Sequence, residues 1–588
     1  MKMKKYLLNL LTVIYFSVTL SGCYDLDLIP PDKLSDASFW KSETHVKQGM
    51  MGVYNAVKQD YAFGLDYMFD YLGEIAYGYS VPFPAIPIGS YANNYGAIQN
   101  FWQYLYEVVA RANGVIYNVS NMETLNSDVK DEAIAEARFL RALAYFRLMD
   151  LFGNVPYYDE TTNVNAEFAE MKKPRSSNDD IRRHIIEDLT FAIGKLKVSW
   201  PNTDYGRATK GAAYALRGKV YLYNKEWDKA IADFEEIVYN RSNNYGYSLH
   251  PDYAELFELY NGKKSAEMIF ALQSKADGEN YGLTLGTYLG NKTTLRNVSY
   301  NYCVPSGDLV DMYEYPDGKP FNWNDIFPGF NEGNEVVRRD YLCIKLNASG
   351  MGMESLLNAD TAKIDRAYRN RDPRLCINVI TPFSKYYGTS GSSVPEWKMF
   401  VLFNTANNGG TAMEGNGYIR NANGAWITYF WRKFVPTGNL NGYQHEYTQT
   451  PFEFPLIRLG DVLLMLSEAY NETNQLDKAI VEFNKVRARV NMPGLNSGAS
   501  WMAVTAKEEM TARIRKERAV ELAIEGHRFA DLRRWGIAKE VLHGRPALGI
   551  YGDVLYTHSF TDRDMLWPIP AVERERNPNL DQNPNWGN

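Results

Sequence analysis

The stretch "GRATKGAAYALRGKVYLYNKEWDKAIADFEEIV", Gly206 to Val238, decides the architecture, because four of its residues stand at offsets that recur far along the chain. Gly218, Tyr221, Ala230 and Phe234 occupy relative positions 0, 3, 12 and 16. The same spacing returns at Ser467, Tyr470, Ala479 and Phe483 in "LGDVLLMLSEAYNETNQLDKAIVEFNKVRARVN". The turn between the two apolar runs repeats as well, as "NKEWDKAI" and "NQLDKAI". Small residues let two helices approach while aromatic rings fill the gap behind them. Each stretch is expected to be a helix-turn-helix pair whose marked residues are packing devices.

These offsets are those of a tetratricopeptide-type repeat. Other segments share the helical spacing without the full pattern. "DEAIAEARFLRALAYFRLMDLFG" places Ala135, Phe139, Ala142, Phe146 and Met149 at steps of three and four, and "NDDIRRHIIEDLTFAIGKL" opens with an acidic cap at Asp179 and Asp180. "ARIRKERAVELAIEGHRFADLRRWG" repeats Ile514, Leu522, Phe529 and Leu532, with Arg518 and Glu521, or Glu525 and Arg528, spaced for contact along a helix. The fold class is mainly α: a tetratricopeptide-type helical scaffold with long irregular loop-rich insertions. Those insertions, Tyr77 to Asn100, Ser274 to Asn334 and Tyr386 to Thr450, read as non-helical and are rich in Gly, Asn, Pro and aromatics. Loops of such length in a compact protein are usually functional.

The chain starts with a different signal. Lys2, Lys4 and Lys5 precede an apolar run from Tyr6 to Leu20, then Ser21, Gly22 and a single cysteine, Cys23. A membrane-spanning helix needs about 20 apolar residues, and this run is shorter, contains Asn9 and Ser17, and stops at small residues. It reads as a leader, residues 1–22, of the kind removed from bacterial lipoproteins after the cysteine thiol is acylated. Several acyl chains on Cys23 would hold a folded domain at a membrane surface. The tether "YDLDLIPPDKLS", with Asp25, Asp27 and Asp32, resembles the acidic signals that send such lipoproteins to the cell surface in one group of Gram-negative bacteria.

Removing residues 1–22 takes away three lysines and no acid, so the formal net charge of −7 becomes −10. That surface, with no polybasic run, does not suit nucleic acid, which needs dense Lys and Arg contacts to phosphate. Beyond Cys23 the cysteines are Cys303, Cys343 and Cys376, an odd number that argues against a disulfide framework. No long Gly/Ser or charged linker follows the tether, so residues 23–250 and 251–588 are expected to form one intertwined unit. The aromatic content is 14%, with 43 Tyr among 588 residues. Tyrosine carries an apolar face and a polar tip, which suits wet binding surfaces as well as cores.

Enzyme signatures are missing. The seven histidines are dispersed without metal-ligand spacing, and there is no His-Glu-x-x-His, no G-x-S-x-G elbow and no phosphate loop. A glycosidase needs two carboxyl groups across a sugar bond, and with 70 acidic residues sequence spacing neither shows nor excludes such a pair. No cofactor is indicated; a structural calcium ion in a loop stays open.

The tether, "SDASFWKSETHVKQGMMGVYNAV", "EARFLRALAYFRLMDLFGNVPYY", "KPRSSNDDIRRHIIEDLTFAI", "GRATKGAAYALRGKVYLY", "NRDPRL", "FPLIRLGDVLLMLSEAYN", "IRKERAVELAIEGHRFADLRRWG" and "LWPIPAVERERNPNLDQNPNW" occur in this order. In that combination the chain resembles the RagB/SusD family of outer-membrane nutrient-binding lipoproteins over nearly its whole mature length. The resemblance implies a SusD-like fold and a lipoprotein, facing the cell exterior, that sits over a SusC-like TonB-dependent transporter and passes it a glycan or, in some members, peptides. It transfers no binding site, because these motifs are mostly scaffold. Arg371, Asp372 and Arg374, and Glu517, Arg518, Glu525 and Arg528, are expected to be structural ion pairs.

A sugar ring can stack its C–H face on an aromatic ring while its hydroxyls bond to amides and charged groups. The first long loop, which the resemblance associates with the ligand face, supplies Tyr77, Tyr79, Phe83, Tyr91 and Tyr95 with Asn93 and Asn94. Next come Tyr281, Tyr288 and Tyr300 with Trp323 beside Asn322 and Asn324, then Trp426. For each single ring, core packing competes with ligand contact. The expected function is capture of an oligosaccharide by a non-catalytic surface protein; a peptide ligand, a surface glycoside hydrolase and a purely structural subunit are the alternatives.

Overall fold

Both repeat pairs form where their offsets place them. Helix α1 spans Glu43–Lys58, α2 Gly96–Ser120, α3 Ser127–Phe152 and α4 Asn178–Lys195, and the first pair is α5 (Lys210–Tyr223) with α6 (Trp227–Val238). The second pair is α7 (Leu459–Glu472) with α8 (Leu476–Arg489), followed by α9 (Lys507–Glu521), α10 (Arg528–Arg534) and α11 (Ala571–Arg576). This computed structural model describes residues 39–587 except 79, 81, 163–170, 258–263, 275–281, 292–293, 295–298, 347–352, 357–360, 389–395, 403–417, 420–427, 438–449 and 451. Cys23 with its tether, Tyr79, Tyr281 and Trp426 lie outside the described residues.

The repeat residues do the packing work expected of them. A Cβ on Gly218 would stand 2.5 Å from the Phe234 ring, so only glycine lets α5 and α6 approach this closely. Gly218→Ala is expected to cost about 1–3 kcal/mol, the usual penalty for overpacking a core, seen as a lower urea midpoint. In the second pair the Ser467 hydroxyl donates to the Ala479 carbonyl at 2.7 Å. Both turns pass through a left-handed residue, Lys225 and Asn474, each with φ of 59°. The pairs join where α6 packs on α7, with the Tyr470 hydroxyl donating to Glu235 and that of Tyr239 to Glu482.

Helices α2 to α5 pack in succession. Asn126 caps α3, accepting from the backbone N–H groups of Asp128 and Val129. Helix α4 is capped by Ser177, and Asp179 and Asp180 occupy its first turn, where carboxylates favour the positive helix end. The cap is thus the serine, not the acids.

Short strands stitch distant segments together. Strand β1 (Ala76–Gly78) pairs antiparallel with β3 (Cys303–Pro305), and β2 (Met268–Leu272) pairs with β6 (Phe454–Arg458). The insertions are less irregular than their composition suggests. Residues 274–334 contain helices Leu285–Leu289 and Gly307–Met312, and residues 386–450 contribute to β4 (Lys385–Gly388) and β5 (Glu396–Phe400). Among the described residues no helix is long and apolar enough to cross a membrane.

The C-terminal charged run departs from its expected pairing: the helix stops at Glu521 and resumes at Arg528, which separates Glu525 from Arg528, while Arg518 and Glu521, both within α9, turn to other partners. The break is needed for close approach: Gly526 has φ of 80°, and a Cβ there would lie 2.1 Å from the Asp66 carbonyl oxygen. Arg518 pairs with Asp531 and Asp461, and Arg528 with Glu74. Deeper in, Arg374 contacts Asp372, Glu517 and Glu521, while Arg458 contacts Glu267, Glu521 and Glu525, all buried. These charges hold the scaffold, as expected; Arg371 does so without an ion pair among the described residues, its guanidinium donating to the Tyr313, Ala367 and Val310 carbonyls over the Phe321 ring.

Asp70 lies under the same break, fully buried, accepting from the Arg528 backbone N–H at 3.0 Å. Burial pushes its carboxyl up to about 7. A folded-state pKa above the ordinary value near 3.8 contributes stability that is complete below about pH 4 and lost as pH rises toward 7. Asp70→Asn keeps an acceptor without the charge, so it is expected to stabilise the protein on the order of 1–3 kcal/mol at pH 8 and hardly at all at pH 4. Urea denaturation at both pH values checks this.

Candidate functional site

A surface of tyrosines gathers beside the start of α2. Tyr300 is 47% exposed, and its ring lies 5.1 Å from that of Tyr302 with only 10° between their planes. Tyr302 in turn meets Tyr288 at 5.2 Å. The backbone fixes this arrangement: the Tyr300 N–H donates to the Thr287 carbonyl at 2.8 Å and the Tyr302 N–H to the Tyr288 carbonyl at 2.7 Å. Between them Asn301 takes a left-handed φ of 53°, with its N–H on the Gly290 carbonyl.

Tyr61 and Tyr104 extend the same surface, stacked with ring centres 6.2 Å apart, and Asn100 hydrogen-bonds the Tyr61 hydroxyl. Burial, then the nearby Asp60 carboxylate and the phenols of Tyr61, Tyr302 and Tyr300, push Tyr288 up to about 12. Its hydroxyl is neutral at physiological pH and able to donate. Asp60 is itself pushed up by burial. Half-exposed ring faces next to an amide and a carboxyl form a surface for a ligand with C–H faces and hydroxyl edges.

Of the residues expected from sequence, Tyr288 is central to this surface and Tyr95 borders it, close to Tyr61 and with its hydroxyl donating to the Pro82 carbonyl at 3.1 Å. The rest of the first loop turns inward. Phe83 is wholly buried among Phe69, Phe101 and Trp567, and Tyr77 is buried with its hydroxyl on Asp308 at 3.2 Å. Tyr91 packs on Trp586 and donates to Asp564 at 2.8 Å. These three rings are core, because the C-terminal segment supplies their partners: Trp567 for Phe83, Trp586 for Tyr91, and Tyr556 with His558 for Tyr77. Asn93 is half-buried, its carbonyl accepting from the Ala571 N–H, and Asn94 is exposed.

Trp323 belongs elsewhere. It stacks on Phe330 at 4.6 Å and donates from its indole nitrogen to Asp311 at 2.8 Å. Burial pushes Asp311 up to about 6. The indole lies at the edge of a recess of about 560 Å³ that also holds Phe321, Asn322, Asn331 and the 40% exposed Trp501. Asn324 is committed to Glu332 and to the Asn331 N–H. Among the described residues no three His, Cys, Asp or Glu side chains converge to hold a metal ion.

Tyr61, Tyr104, Tyr302, Asp60 and Asn100 escaped sequence reasoning. Tyr104 did leave a signal: it lies off the stripe Phe101, Leu105, Val108 and Ala112 that α2 buries.

Residues 266–586 match the model of the SusD family, and residues 26–222 match a model described as starch-binding associating with outer membrane. The chain belongs to the SusD family. SusD-like protein P2 of Formosa agariphila is 25% identical over 596 residues, covering 98% of this chain and 99% of that protein. A SusD-like carbohydrate binding protein from Bacteroides fragilis superposes with a TM-score of 0.73 at 25% identity, over 92% of this chain and 100% of that one. Surface glycan-binding protein A from Bacteroides thetaiotaomicron, solved in complex with laminarihexaose, gives a TM-score of 0.61 at 20% identity over 92% and 100% of the two chains. That last likeness is one of fold. The mainly helical architecture with its tetratricopeptide-type scaffold is that of SusD-like proteins.

Proposed function

We propose that the protein is an outer-membrane lipoprotein, anchored through acylated Cys23, that captures an oligosaccharide without cleaving it and passes it to a SusC-like TonB-dependent transporter. The observation that carries this reading is the near-parallel, half-exposed pair Tyr300 and Tyr302 with Tyr288, Tyr61 and Tyr104 around it and Asp60 and Asn100 at its edge. Stacking holds the sugar rings, and the polar edge orients their hydroxyls. Tyr95, Asn94 and the segments bearing Tyr79 and Trp426 are further contacts in this proposal, and the exposed Trp501 rim of the recess is a secondary one, the buried Trp323 beside it holding the fold. Residues 23–250 and 251–588 act as one unit, since the tyrosines come from both. The named ligands of relatives, laminarihexaose and starch, agree with a glycan as cargo.

Calorimetry against plant, host and microbial oligosaccharides, with peptide mixtures beside them and product analysis after overnight incubation, tests the proposal. Heat from one glycan class with no shortening of the chain is expected. Heat from peptides alone would replace the cargo, and released product would make the protein a hydrolase.

A further inference from the structure

A cleft of about 1730 Å³ opens along another face of α2. Gln103, Tyr106, Ala110, Gly114 and Tyr117 line one wall at helical spacing, and the loop at Pro156 to Thr161 and the end of α11 line the other. At about 100° per residue these positions lie roughly a third of a turn from Asn100 and Tyr104 of the tyrosine surface. The walls are fixed: the Tyr106 hydroxyl donates to the Pro156 carbonyl at 2.7 Å, and the Asn113 amide to the Tyr158 carbonyl at 3.0 Å. Tyr117 is 55% exposed at the rim.

Two further observations narrow the occupant. Gly114 sits inside α2, where glycine is disfavoured, yet a Cβ there would meet no described atom within 4 Å. No described neighbour requires the glycine; its effect is a bare floor between Ala110 and Tyr117. The charged groups at the walls are largely spent on one another: Arg111 on Glu107, Glu160 on Arg141, Arg576 on Glu573. A long, wide, aromatic-rimmed cleft with internally balanced charge suits a neutral chain. Among the described residues its walls, one helical and one a loop with the end of α11, hold no β-strand to extend with a peptide.

We infer that this cleft is a second saccharide site, which rests on the proposed capture role and takes another stretch of the same neutral polysaccharide. Tyr104 and Tyr117 are separated by about 20 Å along the helix axis, so one long chain can engage both sites while a short oligosaccharide engages one. Such linkage raises affinity for the polymer by about 10²- to 10⁴-fold over either site alone.

Affinity electrophoresis of the full-length protein in soluble starch, laminarin, xylan and glucomannan, beside calorimetry with the matching hexasaccharides, tests this. Gly114→Trp projects a ring into the cleft from a position where a Cβ meets no described atom, and Tyr117→Ala removes the rim. Each is expected to weaken polysaccharide binding at least tenfold and to leave hexasaccharide affinity within twofold, whereas Tyr300→Ala weakens both. Should Gly114→Trp fail to melt cooperatively, Tyr117→Ala decides. Undiminished polysaccharide binding in the folded variants overturns the second site and leaves the Tyr300 surface standing. Retardation of the wild-type protein by none of the polymers overturns it as well. Loss of hexasaccharide binding in Gly114→Trp but not in Tyr300→Ala keeps the cleft as a saccharide site and removes the tyrosine surface instead.

Discussion

Methionine in place of Arg458 is expected to lower the unfolding free energy by about 3–5 kcal/mol, the range for breaking a buried ion pair by removing one partner. Arg458 is fully buried and donates to Glu267 and Glu521 at 2.7 Å each and to Glu525 at 2.7 and 2.8 Å. Methionine fills similar space but leaves three carboxylates sharing Arg489, Arg374 and Lys433. Arg458 is the main attraction holding Glu525 below the usual carboxylate range, against the opposing effect of burial. A depressed folded-state pKa supplies stability above the unfolded pKa and loses it as pH falls. The defect of Arg458→Met is therefore expected to be largest near pH 7 and to shrink toward pH 4, where the orphaned glutamates take up protons. Urea melts at the two pH values check both claims. Lys47→Met, which breaks the exposed Glu43–Lys47 pair, is the contrast and should cost under about 0.5 kcal/mol.

The same network explains what the sequence could and could not reveal. The repeats were legible because Gly218 and Phe234 meet within one helical hairpin, so their spacing is a local property of the chain. The partners of Arg458 lie 63 and 191 residues away for Glu521 and Glu267, and no local pattern connects them. Local spacing even misdirected the assignment at Arg518 and Arg528: a break that holds the positive-φ Gly526 separates Glu525 from Arg528, while Arg518 and Glu521, both within α9, are drawn to partners from distant segments. For the site, Gly- and Asn-rich composition located the loops but not the direction of their rings. Phe83 and Tyr91 turn inward because Trp567 and Trp586 arrive from the far end of the chain, while Tyr300 faces out because its backbone is pinned to the helix at Leu285–Leu289.

Tyr300→Ala is expected to weaken binding of the cognate oligosaccharide by about 10- to 100-fold, the loss of roughly 1.4–2.8 kcal/mol that removal of an aromatic anchor produces. The ring is nearly half exposed, so its removal leaves no internal cavity and the melting temperature should stay within about 2 °C of the wild type. Tyr300→Phe keeps the stacking face and should retain affinity within about threefold, which separates the ring's role from that of its hydroxyl. Trp323→Ala gives the opposite pattern. Its indole is 6% exposed and packed on Phe330 and Tyr368, so truncation should cost about 3–5 kcal/mol of stability, in the range of other buried aromatic truncations. Any accompanying loss of glycan affinity in that variant would follow the fraction unfolded and disappear at lower temperature, whereas the Tyr300→Ala loss would persist. Calorimetric titrations at 10 °C and 30 °C tell a ring that holds sugar from a ring that holds the fold.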